Sequence, residues 1–380
     1  MEDFVKGLAI SQLIPKKIFK DLVQKWEIDK GVTKLQSHKL FDILALNAFF
    51  EQKTLRDMAL SYGVPKSTID DALCKRSCGF FEELLPIALA ELTRTLPDRR
   101  LRQDCRDLIA IDSTICNIHG SLADKFRTTK MDNKKAGVKA HIAWDVNNQW
   151  IEECQITSYR NNDCKIGKRF EFKSEKTYVF DRAYVDIKLW DMIVSKGAHF
   201  VTRLKKSGKR LDYIRDKIEN IEDVGVLYDG KWTPSETACS ASGIKKLTLF
   251  FRLVIYRDSK SKKLFYFITS DFNSQAQEIA DIYRKRWAVE LLFRWLKGHL
   301  NIRRSAFKNL NAIKIQLCIA VLVQLFIRYK MIIENFNGTS WDYLRRIRFA
   351  IEAIVFKTLT GSAFYGDAAA NPLLEKVLPT

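Results

Sequence analysis

The chain has 380 residues, 47% of them hydrophobic and 29% charged, a composition that fits a folded globular protein with room for two or three domains. Its net charge of +19 points to a polyanionic partner, nucleic acid before an anionic membrane surface. The eight cysteines contain no CxxC pair and no zinc-spaced Cys/His set, and the strongly apolar run Leu317–Ile327 is shorter than the about 20 residues a membrane span needs. With an acidic Met1-Glu-Asp start and no signal-peptide pattern after it, the cysteines are expected to be reduced and the protein cytoplasmic.

Residues 1–100 are predicted to be helical. Ile10–Trp26 and Leu40–Phe50 place apolar residues at three- and four-residue spacing. Leu55–Leu73 then reads as a helix, a break at Gly63 and a second helix opening near Ser67, a helix-turn-helix pattern. Pro65 just ahead of Ser67 and Thr68 suits a helix start. In a DNA-binding version Lys66, Ser67 and Thr68 stand at the N-terminus of the helix that enters the major groove, and Lys75 and Arg76 are candidates for phosphate contacts. An ordinary helical hairpin has the same pattern.

From Asp107 the periodicity changes to that of strands. Leu108–Ile111 is a short apolar run predicted to end on Asp112. Gly137–Val146 and Gln149–Thr157 flank the turn-prone pair Asn147-Asn148 and read as a hairpin. Lys176–Phe180 is a strand ending on Asp181, Tyr184–Ser195 a helix closed near Gly197, and Ala198–Leu204 a further strand. Residues 205–272 read as a mainly β insertion. It opens with the basic patch Lys205, Lys206, Lys209 and Arg210 and carries Trp232 beside Lys231, a candidate for stacking on an unpaired base.

The stretch Asp281–Leu300 follows. On a helical wheel Tyr283, Arg286, Glu290, Arg294 and Lys297 share an arc of roughly 80°, while Val289, Leu291, Leu292, Trp295 and Leu296 spread over the rest. The expectation is one largely buried helix with a thin exposed charged stripe. Between Tyr283 and Lys308 there are eight basic residues and one acid, Glu290. Ala312–Tyr329 and Trp341–Thr358 are predicted helices.

The order of these elements is that of an RNase H-like core: a strand with Asp112, a hairpin, a strand ending in Asp181, a helix, a strand, and later a helix with Glu290. Carboxylates arriving from separate elements are what two divalent cations about 3.5–4 Å apart require. The expected fold is therefore α/β. The RNase H-like core spans 107–204 and 273–330, interrupted by the insertion 205–272. A helical N-terminal DNA-binding domain precedes it over 1–100, and a helical region and tail follow over 331–380.

With these residues in hand, the chain resembles the bacterial insertion-sequence DDE transposases of insertion sequence family four. Tyr283-x2-Arg286-x3-Glu290-x6-Lys297 matches their YREK signature, and IAIDST around Asp112, VFDRAY around Asp181 and HFVTRLK from His199 look similar as well. LRDMA, KRS and FFEEL in the N-terminal region extend the resemblance over essentially the whole chain.

The resemblance implies Asp112, Asp181 and Glu290 as catalytic, metal-binding residues. It implies two Mg²⁺ ions, for which Mn²⁺ substitutes, and Tyr283, Arg286 and Lys297 on DNA phosphate, with Arg294 beside them. The implied partners are DNA, as terminal inverted repeats and target, and a second copy of the chain as a homodimer on that DNA. Two departures stand out. Ala183 occupies a position where the family usually has Gly, and Asn162-Asp163 replaces a frequent His-Asp pair, so the role of that polar pair is left open. Competing readings are an RNase H-like nuclease without strand transfer and a non-catalytic DNA-binding regulator.

Overall fold

A computed structural model describes residues 14–50, 54–96, 107–117, 137–159, 161–204, 223–234, 250–300 and 309–360, with single positions 239, 302 and 307. It divides into two compact units. One comprises Met1–Arg99, Ile115–Lys139 and Arg294–Thr380; the other comprises Arg100–Thr114 and Ala140–Phe293.

The first unit is mainly helical. Its helices are α1 (Lys16–Lys25), α2 (Ser37–Phe49), α3 (Leu55–Tyr62), α4 (Lys66–Lys75) and α5 (Cys78–Thr95). Far along the chain α10 (Leu310–Ile333) and α11 (Ser340–Thr360) join them. Phe19 meets Phe41 and Phe80 edge to face, and Phe80 meets Phe81 the same way, which knits α1, α2 and α5.

Leu55–Leu73 holds two helices, α3 and α4, with the break at Gly63. Thr54 and Asp57 form a reciprocal capping box at the start of α3, and Gly63 ends it in the left-handed region at φ 63°, where a side chain is disfavoured. Pro65 precedes α4, which begins at Lys66, one residue ahead of the expected start.

Helix α10 runs well past both ends of the apolar run noted in the sequence. By length and composition it is long enough to cross a membrane, yet 78% of its most apolar window is buried inside the protein. It is a core helix, apolar around its circumference because α2, α4, α5 and α11 surround it. Asn311 pins its first turn. The amide donates to the carbonyls of Leu73 and Arg76, and its oxygen accepts from the Cys78 N–H.

The second unit is built on one sheet whose strands are β1 (Leu108–Asn117), β2 (Gly137–Asp145), β3 (Trp150–Ser158), β4 (Thr177–Phe180), β5 (His199–Arg203), β6 (Gly225–Trp232), β7 (Phe251–Arg257) and β8 (Leu264–Thr269). Their order is β3-β2-β1-β4-β5-β8-β7-β6. The strands β1, β4 and β5 are parallel, and β8, β7 and β6 continue from β5 antiparallel. The strands of the 205–272 segment therefore extend the same sheet.

The predicted turn between β2 and β3 is held by Asp145. Its carboxylate accepts from the N–H groups of Asn147 and Asn148 and from the Asn148 amide, while Gln149 turns at φ 53°. The short helix α6 (Asp163–Gly167) follows β3, a single 3₁₀ turn spans Arg182–Tyr184, and α7 (Ile187–Ser195) begins later than predicted because Asp186 caps it.

Asp281–Leu300 is not one helix. It is the end of α8 (Ala276–Lys285) and the whole of α9 (Trp287–His299), with Arg286 at the joint. Backbone bonds there are of the tighter three-residue kind, from the Arg286 N–H to Tyr283 and from the Val289 N–H to Arg286.

Candidate active site

Strand register sets the site. The parallel pairing of β1 with β4 runs from Leu108 opposite Thr177 to Ile111 opposite Phe180, so Asp112 and Asp181 each stand one residue past the last pair. β1 does not end on Asp112 as expected; it continues to Asn117, and what stops there is its pairing with β4.

Side chains alternate along a strand. Ile109, Ile111, Tyr178 and Phe180 enter one core, which packs against Leu189, Trp190 and Ile193 of α7. Asp112 and Asp181 are thereby sent to the opposite face. On that face α8 is seated, with Ile279 and Ala280 buried against Leu108, Val179 and Val201 and with Tyr283 at the edge of the same cluster. The Tyr283 ring lies 4.9 Å from that of Phe267.

The chain leaving α8 delivers Arg286 and Glu290 to the two aspartates. Arg286 Nη1 is 3.1 Å from Asp112 Oδ2, and Nη2 is 2.5 Å from Glu290 Oε1. Its guanidinium carbon lies 5.7 Å from the centre of the Tyr283 ring. The Arg286 side chain is only 14% exposed. On α9 it is instead the apolar Trp287 and Leu291 that are 49% and 47% exposed. The wheel reading is corrected here. Arg286 turns inward between Asp112 on the sheet and Glu290 on its own helix, and not to open solvent.

Burial, more than any other influence, pushes the Asp112 carboxyl up to about 6; the charges of Asp181 and Glu290 push the same way, while the Ser113 N–H and the Arg286 cation oppose it. Burial also works against the charge of Arg286, but Glu290, Tyr283 and Asp112 outweigh it and hold the guanidinium above its ordinary value. Asp181 Oδ1 accepts from the Ala183 N–H and so starts the 3₁₀ turn.

Behind Asp112 lies a second polar group that the sequence reading did not assemble. The Ser113 N–H donates to Asp112 Oδ1 at 2.7 Å, and the Ser113 hydroxyl donates to Asp163 Oδ1 at 3.1 Å. The same Asp163 oxygen is 3.6 Å from Nδ1 of the fully buried His141, whose Nε2 is 2.9 Å from the Thr157 hydroxyl. Asp163 was visible in the sequence only as half of a departing pair, and His141 gave no signal there.

The other predicted residues lie elsewhere. Lys66 and Ser67 are exposed and Thr68 is half-buried at the start of α4, in the helical unit. Lys75 pairs with Asp71 at 3.1 Å. Arg76 is not a phosphate contact: it is 7% exposed, donates to the Leu35 carbonyl and faces Asp29 at 3.8 Å. Arg294 is exposed and Lys297 half-buried, on the part of α9 that is grouped with the helical unit. Trp232 packs half-buried against the sheet core with its indole nitrogen enclosed. Lys205, Lys206 and Arg210 lie outside the described residues.

Hard carboxylate oxygens that repel one another at one end of a sheet suit a small divalent cation. Among the described residues no three such groups stand close enough to grip one ion together; the Arg286 guanidinium bridges Asp112 and Glu290 instead.

Comparison with known proteins bears on the chain as a whole. Residues 103–326, more than half of the chain, match the family described as the transposase DDE domain. A putative transposase of Sinorhizobium fredii is 29% identical over 279 residues, covering 72% of this chain and 73% of that protein. A probable transposase for an insertion sequence element of Geobacillus stearothermophilus is 26% identical over 308 residues, with 77% and 75% covered. In fold the chain is similar to the piggyBac transposase in a cryo-EM synaptic complex with hairpin DNA, at a TM-score of 0.57 and 12% identity, over 98% of this chain and 85% of that one.

Proposed function

Since the chain belongs to the transposase DDE domain family and is a DNA transposase, we propose that Asp112, Asp181 and Glu290 are its catalytic carboxylates. In this reading it cuts the ends of its element and joins the freed 3′-OH to target DNA. The observation that carries this is the convergence of Asp112 and Asp181 at one level of a parallel strand pair, with Arg286 joining Asp112 to Glu290. The parallel strands β1, β4 and β5, with the β2–β3 hairpin outside them, support an RNase H-like core that β8, β7 and β6 extend.

The three carboxylates are the residues that would hold divalent metal, which the family uses; two Mg²⁺ ions are proposed, with Mn²⁺ as a substitute. When bound, such ions supply an activated water or 3′-hydroxyl and offset charge on the leaving oxygen. The protein's own groups do the rest. Arg286 neutralises the carboxylates before DNA arrives, then turns to a scissile-end phosphate. Tyr283, its ring tilted against that of Phe267, gives that guanidinium a fixed wall. Arg294 and Lys297 take up neighbouring phosphates. Lys66, Ser67 and Thr68 read the terminal repeat in the major groove, and Lys205, Lys206 and Arg210 hold backbone. Two ends require two copies of the site, hence a homodimer on DNA.

The test is a supercoiled plasmid carrying the terminal repeats, incubated with purified protein and Mg²⁺. End cleavage followed by a joined product is expected, and Asp112→Asn, Asp181→Asn and Glu290→Gln are each expected to fall to background. Cleavage without joining would favour a nuclease. Repeat binding without cleavage, unchanged in the three variants, would favour a regulator.

A further inference from the structure

The polar group behind Asp112 has a defined place in the sheet. Ser113 follows Asp112 along β1, so its side chain points to the opposite face, the one that Ile109 and Ile111 enter. His141 shares that face, two residues before Ala143 in the same core. Asp163, the first residue of α6, reaches the reverse side of the strand that carries Asp112. It accepts from the Ser113 hydroxyl at 3.1 Å and lies 3.6 Å from His141 Nδ1, and the other ring nitrogen of His141 is 2.9 Å from the Thr157 hydroxyl. The Tyr184 ring is buried in the same core. Burial first, then the charges of Asp163, Asp112 and Asp181, push its hydroxyl well above its ordinary value.

We propose that Asp163 is a positioning residue for the catalytic site: it clamps Ser113 from the reverse face of the sheet and thereby fixes the peptide N–H that orients Asp112. The chain of contacts is continuous. The Ser113 hydroxyl holds Asp163, with His141 Nδ1 3.6 Å away, the Ser113 N–H holds Asp112 Oδ1, and Asp112 Oδ2 is left to face Arg286. Strand alternation places Asp163 behind the site, which separates it from the metal-holding carboxylates in front. Groups that orient a metal ligand in this way change metal affinity by roughly 10–100-fold when removed.

This rests on the metal reading above, and the experiment keeps the two apart. Mn²⁺ binding to the full-length, DNA-free protein is measured by isothermal titration calorimetry, and the Mn²⁺ concentration for half-maximal end cleavage is measured alongside. Ser113→Ala and Asp163→Ala are each expected to weaken Mn²⁺ binding about tenfold, and to raise the half-maximal concentration in parallel. Asp163→Asn keeps an acceptor oxygen and loses less. The double variant is no weaker than the worse single one, since both remove one contact. Ser113→Ala deletes one hydroxyl and is the milder change, so it decides the matter if Asp163→Ala fails to fold. Mn²⁺ affinity of Ser113→Ala within about twofold of wild type overturns the positioning role. So does a loss in Asp163→Ala as complete as in Asp112→Ala, which makes Asp163 a ligand. A wild-type protein that takes up no Mn²⁺ and cleaves no ends when Mn²⁺ is supplied strikes the metal reading itself.

Discussion

Asp112 is the residue on which burial and like charge act most directly. Its carboxyl rises from the ordinary 3.8 to about 6 in the folded chain. For an acid raised on folding, the unfolded state ionises first as pH rises. Stability is therefore lost between about pH 4 and pH 6 and stays lost above it, by at most about 3 kcal/mol. Asp112→Asn is expected to melt higher than wild type at pH 7.5 without metal, with the difference vanishing near pH 4; thermal melts across that range check it. Arg286 offers a second case. Its guanidinium occupies the space between Asp112 and Glu290, with hydrogen bonds of the charge-assisted kind. Arg286→Gln is expected to tighten Mn²⁺ binding by DNA-free protein about threefold to tenfold while abolishing end cleavage. Weaker binding in calorimetry would show that the arginine supports the cation site and does not compete with it. All three of these groups were named from sequence, yet their mutual contacts were not, because residues 112 and 286 meet only through the sheet.

Among the elements, β6 to β8 depend on one buried side chain. Arg252 on β7 forms two 2.7 Å bonds to Asp229 on β6, and its third nitrogen donates to the carbonyls of Asp271 and Ser274 beyond β8. At 7% exposure its removal leaves these acceptors short of a donor. Arg252→Ala is expected to cost roughly 3 kcal/mol and to speed amide exchange first in β6, the edge strand; hydrogen exchange read by mass spectrometry checks both. These strands were legible as β-formers around a turn at Asp258–Lys262, and the turn is there, with the Ser261 N–H and hydroxyl on Asp258. Their membership in the main sheet was not legible, since pairing of β5 with β8 joins residues more than sixty apart. The break at Arg286 was equally hidden, because the residues around it have ordinary helix-forming composition.

The net charge of +19 belongs to the whole molecule and acts at long range on DNA. Affinity for any DNA is expected to fall steeply with salt, by counterion release. Lys66→Ala at the exposed start of α4 is expected to reduce that logarithmic salt slope by about 1 and to leave Mn²⁺ affinity untouched; a fluorescence-anisotropy series across salt concentrations checks it. An unchanged slope would remove Lys66 from the DNA contacts. Arg76, counted among the cations in the sequence, contributes nothing there because the fold spends it on Leu35 and Asp29.

By itself the sequence determined the class of most of the described elements, the paired helices of Leu55–Leu73, and the three acids with the YREK residues as candidates. Those features rest on periodicity, capping and short spacing, which are local. Only the tertiary structure decided that Asp112 and Asp181 share one face, that Arg286 turns inward between two acids, and that Asp163 reaches Ser113 from behind. Each of these depends on strand register and on which face a helix covers, and both are set by packing between residues far apart in the chain.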